Sequence, residues 1–172
     1  MIAIVDYKAG NLTSVAAAFA SLGEAAVVTA DAAEIAAAER IVFPGVGAAG
    51  AAMKHLHDLR LADPLREALA AGKPFLGICL GYQVLFEHSD EDGGVACLGI
   101  LPGRVVRFAP EMRDKAQEPP LKIPQMGWNQ AHPERPHPLL QGMPDNAEFY
   151  FVHSYYPVPV PGDALTRTTY GV

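Results

Sequence analysis

Residues 73–83, Lys-Pro-Phe-Leu-Gly-Ile-Cys-Leu-Gly-Tyr-Gln, run an apolar stretch straight into a Gly-x-Cys-x-Gly turn, and few folds accept that order. Residues 75–78 read as a buried central strand and the residues after Cys79 as a helix, so the chain must turn sharply on the cysteine. Gly77 and Gly81 permit a turn that a Cβ would obstruct. This is a nucleophile elbow with cysteine in place of serine. A helix N-terminus behind Cys79 favours the thiolate, and the Leu80 amide is placed to donate to an oxyanion. A buried structural cysteine at a tight strand-helix turn has the same local pattern.

The preceding residues supply the frame such an elbow needs. Residues 2–5 read as a first strand, residues 26–29 as a second and residues 41–43 as a third. Between them Leu12, Val15, Phe19 and Leu22 recur at helical spacing, and Asp31 caps a short helix through Ile35 and Ala38. Asp63-Pro64 marks another helix start and Gly72 its end. After position 95 the texture becomes Pro-punctuated and strand-like, at residues 104–108, 121–123 and 148–152, with a loop over 109–120. The fold class expected is α/β: a doubly wound, mostly parallel sheet, with an antiparallel β-rich portion in the second half.

The third strand runs into Pro44-Gly45-Val46-Gly47. Parallel strand ends gather in one crevice of a doubly wound sheet, so these backbone amides are candidates for completing an oxyanion hole beside Cys79. A Gly-rich turn without a ligand is the plainer reading of that loop. Phosphate binding fits less well, because no Lys-Ser/Thr follows and Lys8-Ala9-Gly10-Asn11 lacks a dinucleotide fingerprint.

Composition narrows the partners. A net charge of −6 over 172 residues, with no basic run, argues against a nucleic-acid surface. Cys79 and Cys97 lack zinc-ligand spacing and do not form a disulfide framework, Cys97 reads as structural, and a reducing cytoplasm fits. Neither a signal peptide nor a membrane span is expected, and no cofactor or metal is called for.

Gly77-Ile78-Cys79-Leu80-Gly81-Tyr82-Gln83 resembles the class I glutamine amidotransferases, which hydrolyse glutamine and pass ammonia to a synthase. Asp6-Tyr7 with Gly10-Asn11-Leu12, residues 43–47, Pro124-Gln125-Met126-Gly127-Trp128-Asn129, and residues 149–155 resemble the glutaminases of imidazole glycerol phosphate synthases. The resemblance implies that Cys79 attacks the glutamine amide and forms a thioester. Gly45, Val46, Gly47 and Leu80 would form the oxyanion hole, the loop flipping a peptide on activation. Gly47, Gln83, His153, Ser154 and Tyr155 would hold glutamine. Asn11, Trp128 and Tyr150 would face the partner, a (β/α)8-barrel cyclase subunit that takes ammonia through a tunnel in histidine biosynthesis. Read without it, Asn11 is a helix cap, Trp128 a core anchor and Tyr150 an ordinary strand aromatic.

In that family the general-base histidine and its orienting glutamate lie in a His-Pro-Glu segment beyond the His153 motif, so here both are expected beyond Val172. Residues 1–172 are expected to be a single amidotransferase domain whose C-terminal part is missing, and a chain truly ending there to be a poor glutaminase. His132-Pro133-Glu134 repeats the tripeptide at the wrong place and reads as a loop. Two rivals stand beside the glutaminase: an inactive truncated form that only binds the barrel, and a cysteine-elbow protein of the stress-response or peptidase kind. Many of the latter place histidine after the cysteine, where this chain has Leu80.

Overall fold

The computed structural model describes residues 1–114 and 119–171. Part of the expected loop, residues 115–118, and Val172 lie outside the described residues. The chain divides into two compact units, Met1–Val105 and Val106–Val172.

In the first unit, β1 (Ile2–Val5), α1 (Leu12–Ser21), β2 (Ala26–Thr29), α2 (Ala32–Ala37), β3 (Arg40–Gly45), α3 (Ala49–Asp58), α4 (Ala62–Ala70), β4 (Phe75–Cys79) and α5 (Leu80–Gln83) follow one another. The four strands form a parallel sheet in the order β2-β1-β3-β4. Strand alternation splits the apolar residues between its faces. Ile2, Ile4 and Val42 meet Leu12, Val15, Ala16 and Phe19 of α1 on one side. The larger cluster includes Val5, Ile41 and Phe43 with Ile35 of α2, Leu56 of α3 and Leu65 of α4. Helices therefore cover both faces, the doubly wound arrangement expected.

Several local expectations need correction. Leu22 is the exposed C-cap of α1 rather than part of its sheet-facing stripe. β3 continues through Pro44 and Gly45, because its parallel register with β4 runs on through Pro44↔Ile78 and Gly45↔Cys79. β4 is the last strand of the four rather than a central one. Asp63 and Pro64 lie inside the first turn of α4, which begins at Ala62, two residues before the Pro64 start expected. Asp31 does cap α2, its carboxylate accepting from the amides of Ala33 and Glu34 at 2.7 and 3.2 Å.

The first unit also holds β5 (His88–Ser89), paired antiparallel with β6 (Val95–Ala96) and, through Arg104 and Val105, parallel with β7 (Gly103–Arg107), which runs across the boundary between the units. The second unit carries β8 (Gln125–Gln130), β9 (His132–Pro133), β10 (Glu148–His153), β11 (Tyr155–Pro159) and β12 (Thr166–Arg167). β8 and β10 form an antiparallel ribbon in which Trp128 faces Tyr150. Phe108 anchors this unit, stacked on Tyr156 at 4.7 Å with Tyr170 edge-on at 5.6 Å.

Residues 121–123 are not a strand. Pro119, Pro120 and Pro124 bracket them and supply no N–H, which leaves too few donors for a ladder. His132-Pro133-Glu134 is also more ordered than a loop. β9 pairs with β12 through Thr166↔Pro133 and Arg167↔His132, and the Arg167 guanidinium donates to the Glu134 carboxylate at 2.8 Å. That ion pair holds Glu134 below the usual carboxylate range.

Candidate active site

The elbow is built where β3 and β4 end together. Gly45 pairs with Cys79 across the sheet, so the Gly-rich loop and the cysteine leave adjacent strands at the same level. Cys79 has φ 53° and ψ −120°, a region that L side chains rarely adopt and that costs about 1–3 kcal/mol. The surrounding glycines make that turn possible. A Cβ on Gly77 would come 2.7 Å from the Tyr82 Cα, and one on Gly81 would run into the Phe43 carbonyl. The turn thus packs backbone against backbone and leaves the Cys79 residue exposed at its crest.

The helix behind the cysteine is a single turn, Leu80–Gln83. Its macrodipole is correspondingly a fraction of that of a long helix, so the elbow's geometry is the stronger argument for reactivity. Leu80 is buried and locks the turn into the core, while Gln83 sits half-buried one helical turn beyond Cys79.

In the loop, Val46 and Gly47 are exposed, and Gly47 takes φ +94° with open space where a Cβ would be. Its far end is pinned. The Glu91 carboxylate accepts from the Ala49 amide at 2.8 Å and the Asp92 carboxylate from the Gly50 amide at 3.1 Å, which caps α3 from a distant part of the chain. An exposed thiol on a strained turn, next to a loop of accessible amides, is an arrangement suited to acyl transfer through a thioester.

Tyr7, whose hydroxyl lies against Gly45, carries no role of its own in the sequence reading. It follows β1, is wholly buried, and packs edge-on against Phe43 at 5.1 Å. Its hydroxyl has no hydrogen-bond partner among the described residues. Burial, and then the charge of Cys79, push its ionisation up to about 12. The available signal was its place just past a parallel strand, where sites in such sheets gather. Cys97, by contrast, is buried with its thiol on the Val95 carbonyl, and burial pushes it up to about 11.

His153, Ser154 and Tyr155 lie in the second unit, where β10 ends and β11 begins. The His153 Nδ1 lies 2.8 Å from the Tyr155 carbonyl oxygen, which can only accept, so Nδ1 carries the proton in that bond. Its buried Nε2 has no partner among the described residues and is an acceptor in the neutral ring. Trp128 and Tyr150 stand edge-to-face at 5.7 Å on the ribbon, 67% and 55% exposed, which rules out a core-anchor role for Trp128. Asn11 caps α1, accepting from the Ser14 amide at 3.2 Å.

The family described as glutamine amidotransferase class-I matches residues 3–169. The chain is 51% identical over 173 aligned residues to the imidazole glycerol phosphate synthase subunit HisH of Methylococcus capsulatus, covering 98% of this chain and 79% of that one. It is 52% identical to the HisH subunit of Aromatoleum aromaticum, over 92% of this chain and 74% of the relative. A crystal structure described as a glutamine amidotransferase superposes with a TM-score of 0.68 at 16% identity, over 97% of this chain and 80% of the other, a likeness of fold.

Proposed function

This chain belongs to the class-I glutamine amidotransferases, among the HisH subunits of imidazole glycerol phosphate synthase, and from that premise we propose that Cys79 is the nucleophile of a glutaminase. The observation that carries this reading is the strained, exposed Cys79 turn set on the same strand rung as Gly45. The thiolate sulfur adds to the side-chain amide carbon of glutamine, and the carbonyl becomes an oxyanion. Amides of the Gly45, Val46 and Gly47 loop and of Leu80 receive that charge. Collapse releases ammonia, with a proton delivered to the leaving nitrogen, and leaves a glutamyl thioester. Water then cleaves the thioester, giving glutamate and returning the thiol.

Gly47 and Gln83 of the first unit, and His153, Ser154 and Tyr155 of the second, are the residues that the family resemblance assigns to holding glutamine, and residues 1–172 count on this reading as one amidotransferase domain. Asn11, Trp128 and Tyr150 face a (β/α)8-barrel cyclase subunit that uses the ammonia to make imidazole glycerol phosphate in histidine biosynthesis. The exposed Trp128 and Tyr150 rings suit such a partner, because aromatic pairs are favoured anchors at interfaces. A biosynthetic complex of this kind fits the cytoplasm, and among the described residues no helix is long and apolar enough to cross a membrane.

The test uses the complex with its barrel partner. Cys79→Ala should abolish glutamine-dependent synthesis and leave ammonia-dependent synthesis near the wild-type rate. Retained turnover on glutamine would remove Cys79 from the mechanism. A wild-type protein that binds the barrel and leaves its ammonia-dependent synthesis intact, yet supports no synthesis from glutamine, would favour the binding-only reading.

A further inference from the structure

We propose that His153 is a positioning residue, whose ring braces the corner where the chain leaves β10 and enters β11 and so fixes Ser154 and Tyr155 for glutamine. The inference rests on the reading in which those two residues hold the substrate, and it gives His153 a different task from theirs.

Ser154 is the single residue between the two strands. β10 pairs with β8 in a two-stranded ribbon, whereas β11 belongs to a different sheet, so the chain changes sheet at Ser154. Backbone groups at such a corner must find partners outside the ribbon ladder. Two bonds meet that need. The Phe108 amide donates to the Ser154 carbonyl at 3.1 Å, and the His153 Nδ1 donates to the Tyr155 carbonyl at 2.8 Å. The second bond ties the last residue of β10 to the first of β11 across the corner itself.

The ring is held in place for this bond. Its centroid lies 5.2 Å from that of Phe108 and 5.7 Å from that of Phe151, and Phe108 is in turn stacked on Tyr156. Neither nitrogen is presented to solvent as a free group. Nδ1 is committed to the Tyr155 carbonyl, and Nε2 is buried with no partner among the described residues. A buried acceptor without a partner is penalised, so on packing alone a phenyl ring would suit this place better than an imidazole. What the imidazole adds is the Nδ1–H bond across the corner.

Three substitutions separate the bond from the ring, each made in the full chain complexed with its barrel partner. His153→Phe keeps a planar ring and removes the donor. His153→Asn removes the ring and sets an amide N–H close to where Nδ1 stood, whereas His153→Gln carries its amide farther out. The glutamine KM should rise about five- to twentyfold in His153→Phe and His153→Gln, with kcat within about twofold, and His153→Asn should bring KM back to within about threefold of wild type. The thermal midpoint of His153→Phe should stay within about 3 °C of wild type. A wild-type KM in His153→Phe, with or without a lowered midpoint, would overturn the role. Equal KM values in His153→Asn and His153→Phe would overturn it too.

A second measurement leaves His153 in place and covers a variant that fails to fold. Nitrogen NMR of the histidine rings at about pH 8 should find the His153 proton on Nδ1, and should find it there still when glutamine is added to the Cys79→Ala complex. A proton on Nε2, before or after glutamine, would overturn the brace. Failure of the proposed function is distinguishable, because the wild-type complex then has no glutamine KM for any variant to raise.

Discussion

The parallel sheet of the first unit and the β8–β10 ribbon of the second handle apolar residues in opposite ways. Around the elbow, Tyr7, Phe43, Leu80 and Val84 are buried, and glycines are required because backbone meets backbone. On the ribbon, Met126, Trp128, Tyr150 and Val152 all stand more than half exposed. Gly127 between two of them has nothing near its missing Cβ. One region finishes its own core and spends the resulting rigidity on holding a strained cysteine. The other keeps a contiguous apolar face for something outside this chain, which a monomer seldom tolerates without a use.

Paired glycine substitutions test that contrast most severely. Gly81→Ala should cost about 3 kcal/mol or more, since the new methyl meets the Phe43 carbonyl and backbone must move. Gly127→Ala has room, and only its positive φ is strained, for about 1 kcal/mol. Equal denaturation midpoints for the two would mean that the elbow is not close-packed.

Alkaline pH should read the same core through two titrations. Tyr7 and Cys97 are both raised by burial, to about 12 and about 11. Groups raised in the folded state contribute stability in full below their ordinary values of 10.0 and 9.0, and lose it as pH climbs through the raised ones. Unfolding free energy should fall by about 2 kcal/mol per group between pH 9 and 12. Tyr7→Phe should remove its share of that fall, and an unchanged alkaline slope would show that the hydroxyl titrates as if in water.

On the ribbon the expected change is in binding. Trp128→Ala should alter stability by less than about 0.5 kcal/mol, yet weaken the barrel complex by about 2 kcal/mol, near thirtyfold in Kd. Loss of fold without loss of affinity would reverse the assignment of the two regions. The smallest effect expected is at Asp31, where alanine removes the cap of α2 for about 1 kcal/mol and leaves glutamine turnover unchanged.

Much of the elbow was legible because its signals are local. The apolar run, the flanking glycines and the cysteine lie within one short segment, and the βαβ rhythm before it follows from strand and helix periodicity. Tyr7 was legible only as part of a matching segment. Its burial against Gly45 depends on the register of β3 with β4 and on the missing side chain at position 45, neither of which adjacent residues encode. The pairing of β9 with β12 is likewise a long-range register, so His132-Pro133-Glu134 read as a loop. Residues 121–123 misled through their aliphatic content, while the prolines around them decided the outcome.

The central claim, that Cys79 carries glutamine chemistry, is tested most directly by covalent trapping. The complex is incubated with a chloroketone analogue of glutamine and its peptides are weighed. One adduct is expected, on Cys79, suppressed by excess glutamine and absent from Cys97. Labelling of Cys97 instead, or labelling of Cys79 that glutamine does not suppress, would contradict it.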